Sequence, residues 1–240
     1  MTHLAMWSGP RNVSTAMMRA WGNRADTFVV DEPLYAFYLK ATGKDHPGAA
    51  EIIRHGQTDW RHVIRELTTA MPPDKCIYFQ KQMTHHLLPE IDRGWLLDLT
   101  NCFLIRNPRD VILSYIRVKA EPVLEDLGFV QQLEIFEFIR KRIDSVPAVV
   151  DAKDLLENPE RLLRLLCRRV GVEFDPAMLQ WQPGPRDTDG IWGRYWYSGV
   201  NRSTSFQPYK PANGNVPDRL RDIYEHCRVC YERMYQYRLI

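Results

Sequence analysis

The stretch Ser8-Gly9-Pro10-Arg11-Asn12-Val13-Ser14-Thr15 concentrates groups that hold an anion. It lies between a short apolar run, residues 4–7, and a helical pattern over residues 13–21. At a strand-to-helix junction the first N–H groups of the helix have no carbonyl partner, and the helix dipole favours negative charge there. Arg11 adds a permanent charge with forked donors. Ser14 and Thr15 add hydroxyl donors, while Pro10, Asn12 and Val13 shape the turn. This chemistry suits a phosphate or a phosphosulfate. The loop has one glycine and no Gly-Lys-Ser/Thr ending, so it is not a Walker A motif, which argues against ATP or GTP hydrolysis. Taken alone, the same residues also read as a Pro/Gly turn before a capped helix.

The elements around the loop alternate. Apolar runs at residues 28–30, 76–79, 101–105 and 147–150 predict further strands, and 101–105 has the continuous apolar character of a parallel-sheet strand. Helical patterns cover residues 60–67, 129–143 and 217–235. Two more helices carry strong start signals: Asn107-Pro108 and Asn158-Pro159, each an N-cap followed by proline at the first helical position. Asn12 is read as the cap of the first helix, and Gly22 and Gly171 as its and the Asn158 helix's C-terminal glycines. Residues 34–75 give a weaker pattern. Residues 181–215 read as a long loop rich in Trp, Tyr, Gly and Pro, of the kind that often carries function. Strands alternating with helices predict an α/β fold with a central parallel sheet and ligands at the carboxyl ends of its strands.

Composition sets the bounds. The 240 residues suit one domain, 1–240, large enough to need no disulfide or metal staple. A net charge of +2 gives no reason to expect nucleic acid as a partner. No run approaches a membrane span, and residues 1–7 are too short for a signal peptide, so a cytoplasmic location is expected. The five cysteines fit that compartment, and Cys227 and Cys230, a lone CxxC pair, are read as core filler without a metal.

Two motifs in order resemble the sulfotransferase family. Its 5′-phosphosulfate loop, Pro-Lys/Arg-Ser-Gly-Thr-Thr after the first strand, is similar to Pro10-Arg11-Asn12-Val13-Ser14-Thr15, with Asn12 in place of Ser and Val13 in place of Gly. Its 3′-phosphate element, a strand followed by Arg-x-Pro-x-Asp-x-x-x-Ser, is similar to 103–115, with Arg106, Pro108, Asp110 and Ser114 in register. A dianionic phosphate wants a bidentate Arg beside a hydroxyl, which Arg106 and Ser114 provide. A third, architectural segment over 149–171 agrees. The resemblance implies a P-loop NTPase-like three-layer fold and 3′-phosphoadenosine-5′-phosphosulfate (PAPS) as sulfuryl donor, without a metal. It implies a small-molecule acceptor with a hydroxyl or amine, and 3′,5′-ADP as product.

The resemblance also implies roles. Arg11 holds the phosphosulfate and stabilises the leaving phosphate. Glu32, after the second strand, stands where some members carry a catalytic glutamate. Lys81 matches a lysine that stabilises the bridging oxygen. In the family's Lys-Thr-His-Leu-Pro stretch the histidine spacing differs from Lys81-Gln82-Met83-Thr84-His85-His86-Leu87-Leu88-Pro89, so His85 and His86 stand beside Glu32 as alternatives for the base. Ser203-Thr204 looks like a late cofactor-contact turn. Trp181, Trp192, Tyr195, Trp196 and Tyr197 either wall an acceptor pocket or cap the domain, and exposed aromatics leave room for a homodimer. Two other readings are a P-loop kinase, or other nucleotide-using enzyme, and a nucleotide-binding module without turnover.

Overall fold

Five short apolar runs, each ended by turn formers or a helix cap, become five strands. They are β1 (Thr2–Ser8), β2 (Thr27–Asp31), β3 (Ile77–Met83), β4 (Thr100–Ile105) and β5 (Ala148–Asp151). The computed structural model describes residues 1–240 and pairs the strands in the order β2-β3-β1-β4-β5. Every pairing is parallel. The chain therefore steps to both sides of β1, and the carboxyl ends of β2, β3, β1 and β4 open on one edge, where α/β folds place ligands.

Alternation along the strands splits the core into two faces. Ala5, Trp7, Phe103 and Val149 point one way, against α4 (Trp60–Thr69), α5 (Pro108–Tyr115), α7 (Phe129–Arg140) and α11 (Arg221–Tyr235). Leu4, Met6, Phe79, Leu104 and Val150 point the other way, against α1 (Ser14–Gly22), α8 (Ala152–Glu157) and α9 (Pro159–Val170). The result is the expected three-layer α/β arrangement. Asn107 caps α5 by accepting from Arg109 N, Asn158 caps α9 by accepting from Arg161 N, and Gly171 closes α9 at φ 75°. Cys227 and Cys230 are buried free thiols within the core.

Several local expectations change. Residues 34–75 form α2 (Tyr35–Thr42), α3 (Ala49–His55) and α4. β3 runs on to Met83, so Lys81 and Gln82 are strand residues and not part of the turn after it. A lysine inside a strand escapes an apolar pattern because its partners lie in other segments. Asn12 does not cap α1: its amide donates to Leu104 O at 2.9 Å and its oxygen accepts from Val13 N at 2.8 Å. The residue before α1 is Val13, which supplies no capping side chain. Residues 181–215 are not a bare loop: they carry α10 (Gly193–Trp196) and bury Trp181 and Tyr197 against the α1 face of the sheet. The remaining helix is α6 (Leu124–Leu127), and no helix is long and apolar enough to cross a membrane.

Candidate functional site

The two phosphate motifs, about a hundred residues apart in sequence, meet at the carboxyl ends of β1 and β4. Arg11 Nε donates to Ser114 Oγ at 2.9 Å, and an Arg106 guanidinium N–H donates to Arg11 O at 2.7 Å. These bonds fold the loop after β1 onto the start of α5. Arg11 itself sits at φ 56°, a left-handed conformation that a non-glycine residue adopts only when its surroundings hold it there. Val13, by contrast, is at φ −92°, ψ 23°, a backbone conformation open to any residue.

The electrostatics of the loop favour an anion. Neither Arg11, Arg106 nor Arg117 takes part in an ion pair with a carboxylate. Burial lowers the Arg11 pKa, and the neighbouring Arg106 and Arg117 lower it further. α1 has no acidic residue in its first turn and no capping side chain. The hydroxyls of Ser14 and Thr15 have no protein partner. Cationic groups that repel one another and free helix-start N–H groups are what a bound phosphate group would relieve.

The loop is also tightly seated. A Cβ on Gly9 would lie 2.7 Å from Leu127 O. Gly128, at φ +73°, would place one 2.6 Å from Thr84 Oγ1 and 3.4 Å from Gly9 Cα. Only glycine lets the α6–α7 elbow, the phosphate loop and the turn after β3 come this close.

A second cluster lies one and two strands over. In the sheet register Lys81 pairs with Met6 on one side and with Asp31 on the other. Lys81 is 1% exposed, and its ammonium donates to Asp31 Oδ1 at 2.9 Å, Glu32 Oε1 at 2.5 Å and Tyr197 Oη at 2.6 Å. Those bonds use all three of its donors. Burial pulls the Lys81 pKa down, but the two carboxylates outweigh it and the ammonium is held above its ordinary value. Glu32 moves the other way. Burial raises its pKa, Lys81 pulls it down, Asp31 pushes it up, and the balance stays raised. Its second oxygen, Oε2, has no protein partner. Glu32 is also left-handed, at φ 42°.

The structure thus brings Glu32 and Lys81 together, and Arg11, Arg106 and Ser114 together. His85 and His86 stand on a different element. They occupy a 3₁₀ turn after β3, and both are buried. His86 stacks against both Tyr35 and Tyr38, at 4.7 and 4.6 Å, and His85 meets His86 edge-on at 4.4 Å. Burial holds the His85 pKa down to about 3 and that of His86 well below its usual value. Both rings are therefore neutral, weakly basic groups. Ser203 and Thr204 are not joined to the phosphate loop: Ser203 donates to Val200 O at 2.7 Å and accepts from Trp181 Nε1 at 3.3 Å, while Thr204 is exposed. Asp31 is absent from the expected site residues, and Tyr197 is expected only as a pocket wall or a cap. Asp31 directly precedes Glu32, and a doubled acid at a strand end was the available signal. Nothing in the sequence tied Tyr197 to it across 166 residues.

The profile of the family described as "Sulfotransferase domain" matches residues 1–237. The chain belongs to that family. Among curated relatives, this sulfotransferase domain is 34% identical over 229 residues to the Arabidopsis thaliana "Branched-chain-amino-acid aminotransferase-like protein 1". It is 31% identical over 225 residues to "Branched-chain-amino-acid aminotransferase-like protein 2" of the same plant. Each match covers 94% of this chain and 40% of the relative, so the chain spans about two-fifths of their length. Among solved structures, the sulfotransferase domain from the Synechococcus PCC 7002 olefin synthase superposes with a TM-score of 0.59 at 14% identity, covering 99% of this chain and 95% of that one. A sulfotransferase from Alicyclobacillus acidocaldarius gives 0.53 at 11% identity, covering 100% and 97%. At such identities these structures speak for the fold.

Proposed function

We propose that this sulfotransferase domain transfers a sulfuryl group from PAPS to a hydroxyl or amine of a small-molecule acceptor and releases 3′,5′-ADP. The observation that carries the reading is the bonded junction of Arg11, Ser114 and Arg106, in which neither arginine is paired with a carboxylate. Bound there, PAPS supplies an activated phosphosulfate anhydride. The residues present fit it: Arg11, Ser14, Thr15 and the first N–H groups of α1 hold the phosphosulfate end, and Arg106 with Ser114 holds the 3′-phosphate. Arg11 also steadies the charge that grows on the leaving phosphate.

Glu32 is the base in this reading. Its Oε2 is the carboxylate oxygen left over from the Lys81 cluster, and its raised pKa brings it closer to the working pH of a general base. His85 and His86, held neutral by burial, instead pack the wall next to it. Lys81 supplies the nearby positive charge, and reaches a substrate oxygen only by exchanging one of its three bonds. That saturated lysine is also the one observation favouring a second reading, a nucleotide-binding domain without turnover.

Calorimetric titration with 3′,5′-ADP, ATP and AMP, without Mg²⁺, tests the donor. Micromolar binding of 3′,5′-ADP is expected, with ATP and AMP much weaker. Losing a charged hydrogen bond of about 1.5–3 kcal/mol makes Arg106→Ala about 10- to 100-fold weaker for 3′,5′-ADP alone. Equal affinities for the three nucleotides sink the reading. Tight binding with no 3′,5′-ADP released from PAPS across an acceptor panel selects the second one.

A further inference from the structure

The phenol of Tyr197 is 5% exposed and lies at the centre of the acid–lysine cluster. Its oxygen is 2.6 Å from Lys81 Nζ, 2.7 Å from Asp31 Oδ2 and 3.2 Å from Trp192 Nε1, with Glu32 Oε1 at 3.5 Å. Lys81 and the Trp192 indole can only donate, so they fill the two lone pairs of the phenol oxygen, and the single phenol proton goes to Asp31. Asp31 then collects three donors: Tyr197, Lys81 and the backbone N–H of Gly190 at 3.0 Å. Glu32 has one close donor, Lys81. The segment bearing Tyr197 is itself fastened. Arg19 of α1 grips both oxygens of Asp189 through two guanidinium nitrogens, at 2.5 and 2.7 Å, and both side chains are buried.

We propose that Tyr197 is a positioning residue for the transfer: it supplies Asp31 with a proton donor, so that the Lys81 ammonium is shared with Glu32 and Glu32 remains ionised as the base. The role of Glu32 as base rests on the function proposed above; the coupling of Tyr197 to Glu32 does not. Without the phenol, Asp31 lacks one of its donors, Lys81 is drawn toward it with the N–H that Tyr197 releases, and its bond to Glu32 is weakened. The groups facing Glu32 agree with this direction. Lys81 from β3 and the Tyr197 hydroxyl lower its pKa, and Asp31 from β2 raises it. Tyr35 of α2 lies within its field, and Lys81 also acts on His86 after β3, which burial keeps neutral. Beyond Asp31 stands the Arg19–Asp189 pair, already closed on itself.

The test follows the carboxyl carbon of Glu32 by NMR in the full chain labelled at glutamate Cδ, the resonance being assigned by its loss in Glu32→Gln. Neither donor nor acceptor is needed. One buried hydrogen bond lost from the cluster moves the Glu32 midpoint up by about one pH unit in Tyr197→Phe, which keeps the ring and its packing. The shift shrinks when the same change is made in an Asp31→Asn background, because the phenol acts through Asp31. Site-specific 3-fluorotyrosine at position 197, a near-isosteric and more acidic phenol, moves the midpoint the opposite way and answers the question even if Tyr197→Phe folds poorly. A Glu32 midpoint that stays put in both variants, or a Tyr197→Phe shift as large without Asp31 as with it, overturns the proposal. Failure of the wild type to bind 3′,5′-ADP overturns the donor reading and leaves this titration intact, so the two fail separately.

Discussion

At the scale of single residues, the cluster around Lys81 sets charge against burial. One ammonium faces two carboxylates, with Lys81 and Asp31 buried and Glu32 partly exposed. Removing one partner of a buried pair leaves the other uncompensated and costs about 3–5 kcal/mol. Lys81→Met, similar in volume and uncharged, is therefore expected to lower stability by roughly that amount, measured by urea unfolding. The loss depends on pH in a defined direction. With Lys81 gone, Asp31 and burial both push the Glu32 pKa further above its unfolded value. A carboxyl with a raised folded pKa stabilises the folded state at low pH and loses that contribution as pH rises through the folded value. The variant's deficit should accordingly be smaller at pH 5 than at pH 8. An equal loss at both would show that Glu32 does not carry the uncompensated charge.

At the scale of elements, the rim of the site is held by a carboxylate clamp. Asp126 of α6 is buried and accepts from Lys44 Nζ and from Lys119 Nζ, each at 2.6 Å, and from Val123 N at 3.0 Å. Lys44 follows α2 and Lys119 follows α5, so one side chain fastens the segments 43–48 and 117–123 beside the α6–α7 elbow that meets Gly9. Burial raises the Asp126 pKa, but the hydrogen bonds from Lys119 and Lys44 outweigh it and hold it at about 2. A depressed carboxyl contributes above its unfolded pKa and loses that contribution as pH falls through the folded value. The wild type should lose on the order of 1–2 kcal/mol between pH 5 and 2 from this group, a figure tempered by the partial exposure of both lysines. Asp126→Asn should lack that part of the acid dependence. In hydrogen exchange the two lysine segments should speed up together in the variant; acceleration of one without the other would show that they are not fastened through Asp126.

These elements also show what could be read in advance. The β4–α5 junction was legible because Asn107, Pro108 and the run 101–105 act locally, and so was α9, bounded by Asn158 and Gly171. Arg106 and Ser114 could be located because a strand end and a helix face fix their positions. The clamp on Asp126 and the buried placement of Lys81 were hidden, since each joins segments with no local signature in common. Val13 stands where the family has glycine, its backbone lies in an ordinary region, and the left-handed residue of the loop is Arg11. The base stayed open among Glu32, His85 and His86 because only burial and neighbours separate a raised carboxyl from two imidazoles held neutral.

At the scale of the whole molecule, one sheet carries both halves of the proposed donor site. The phosphate loop leaves β1, its central strand, and the 3′-phosphate pair leaves β4 beside it, while core packs on both faces of the same strands. Unfolding the donor site would therefore disturb strands that carry core on both faces. A ligand spanning the loop and α5 should thus stabilise the entire fold, in a single cooperative transition over 1–240. At 3′,5′-ADP one hundred times its dissociation constant, mass action adds about 2.7 kcal/mol. For a domain of this size each kcal/mol raises the melting temperature by about 2–4 °C, so a rise of roughly 5–10 °C is expected in calorimetry. Arg106→Ala, binding about 10- to 100-fold more weakly, should keep about 0.4–1.4 kcal/mol of that term at the same ligand concentration, a rise of roughly 1–6 °C. Two resolved transitions, only one of them moved by the nucleotide, would mean that the chain holds two independent folding units and that the donor site belongs to one of them.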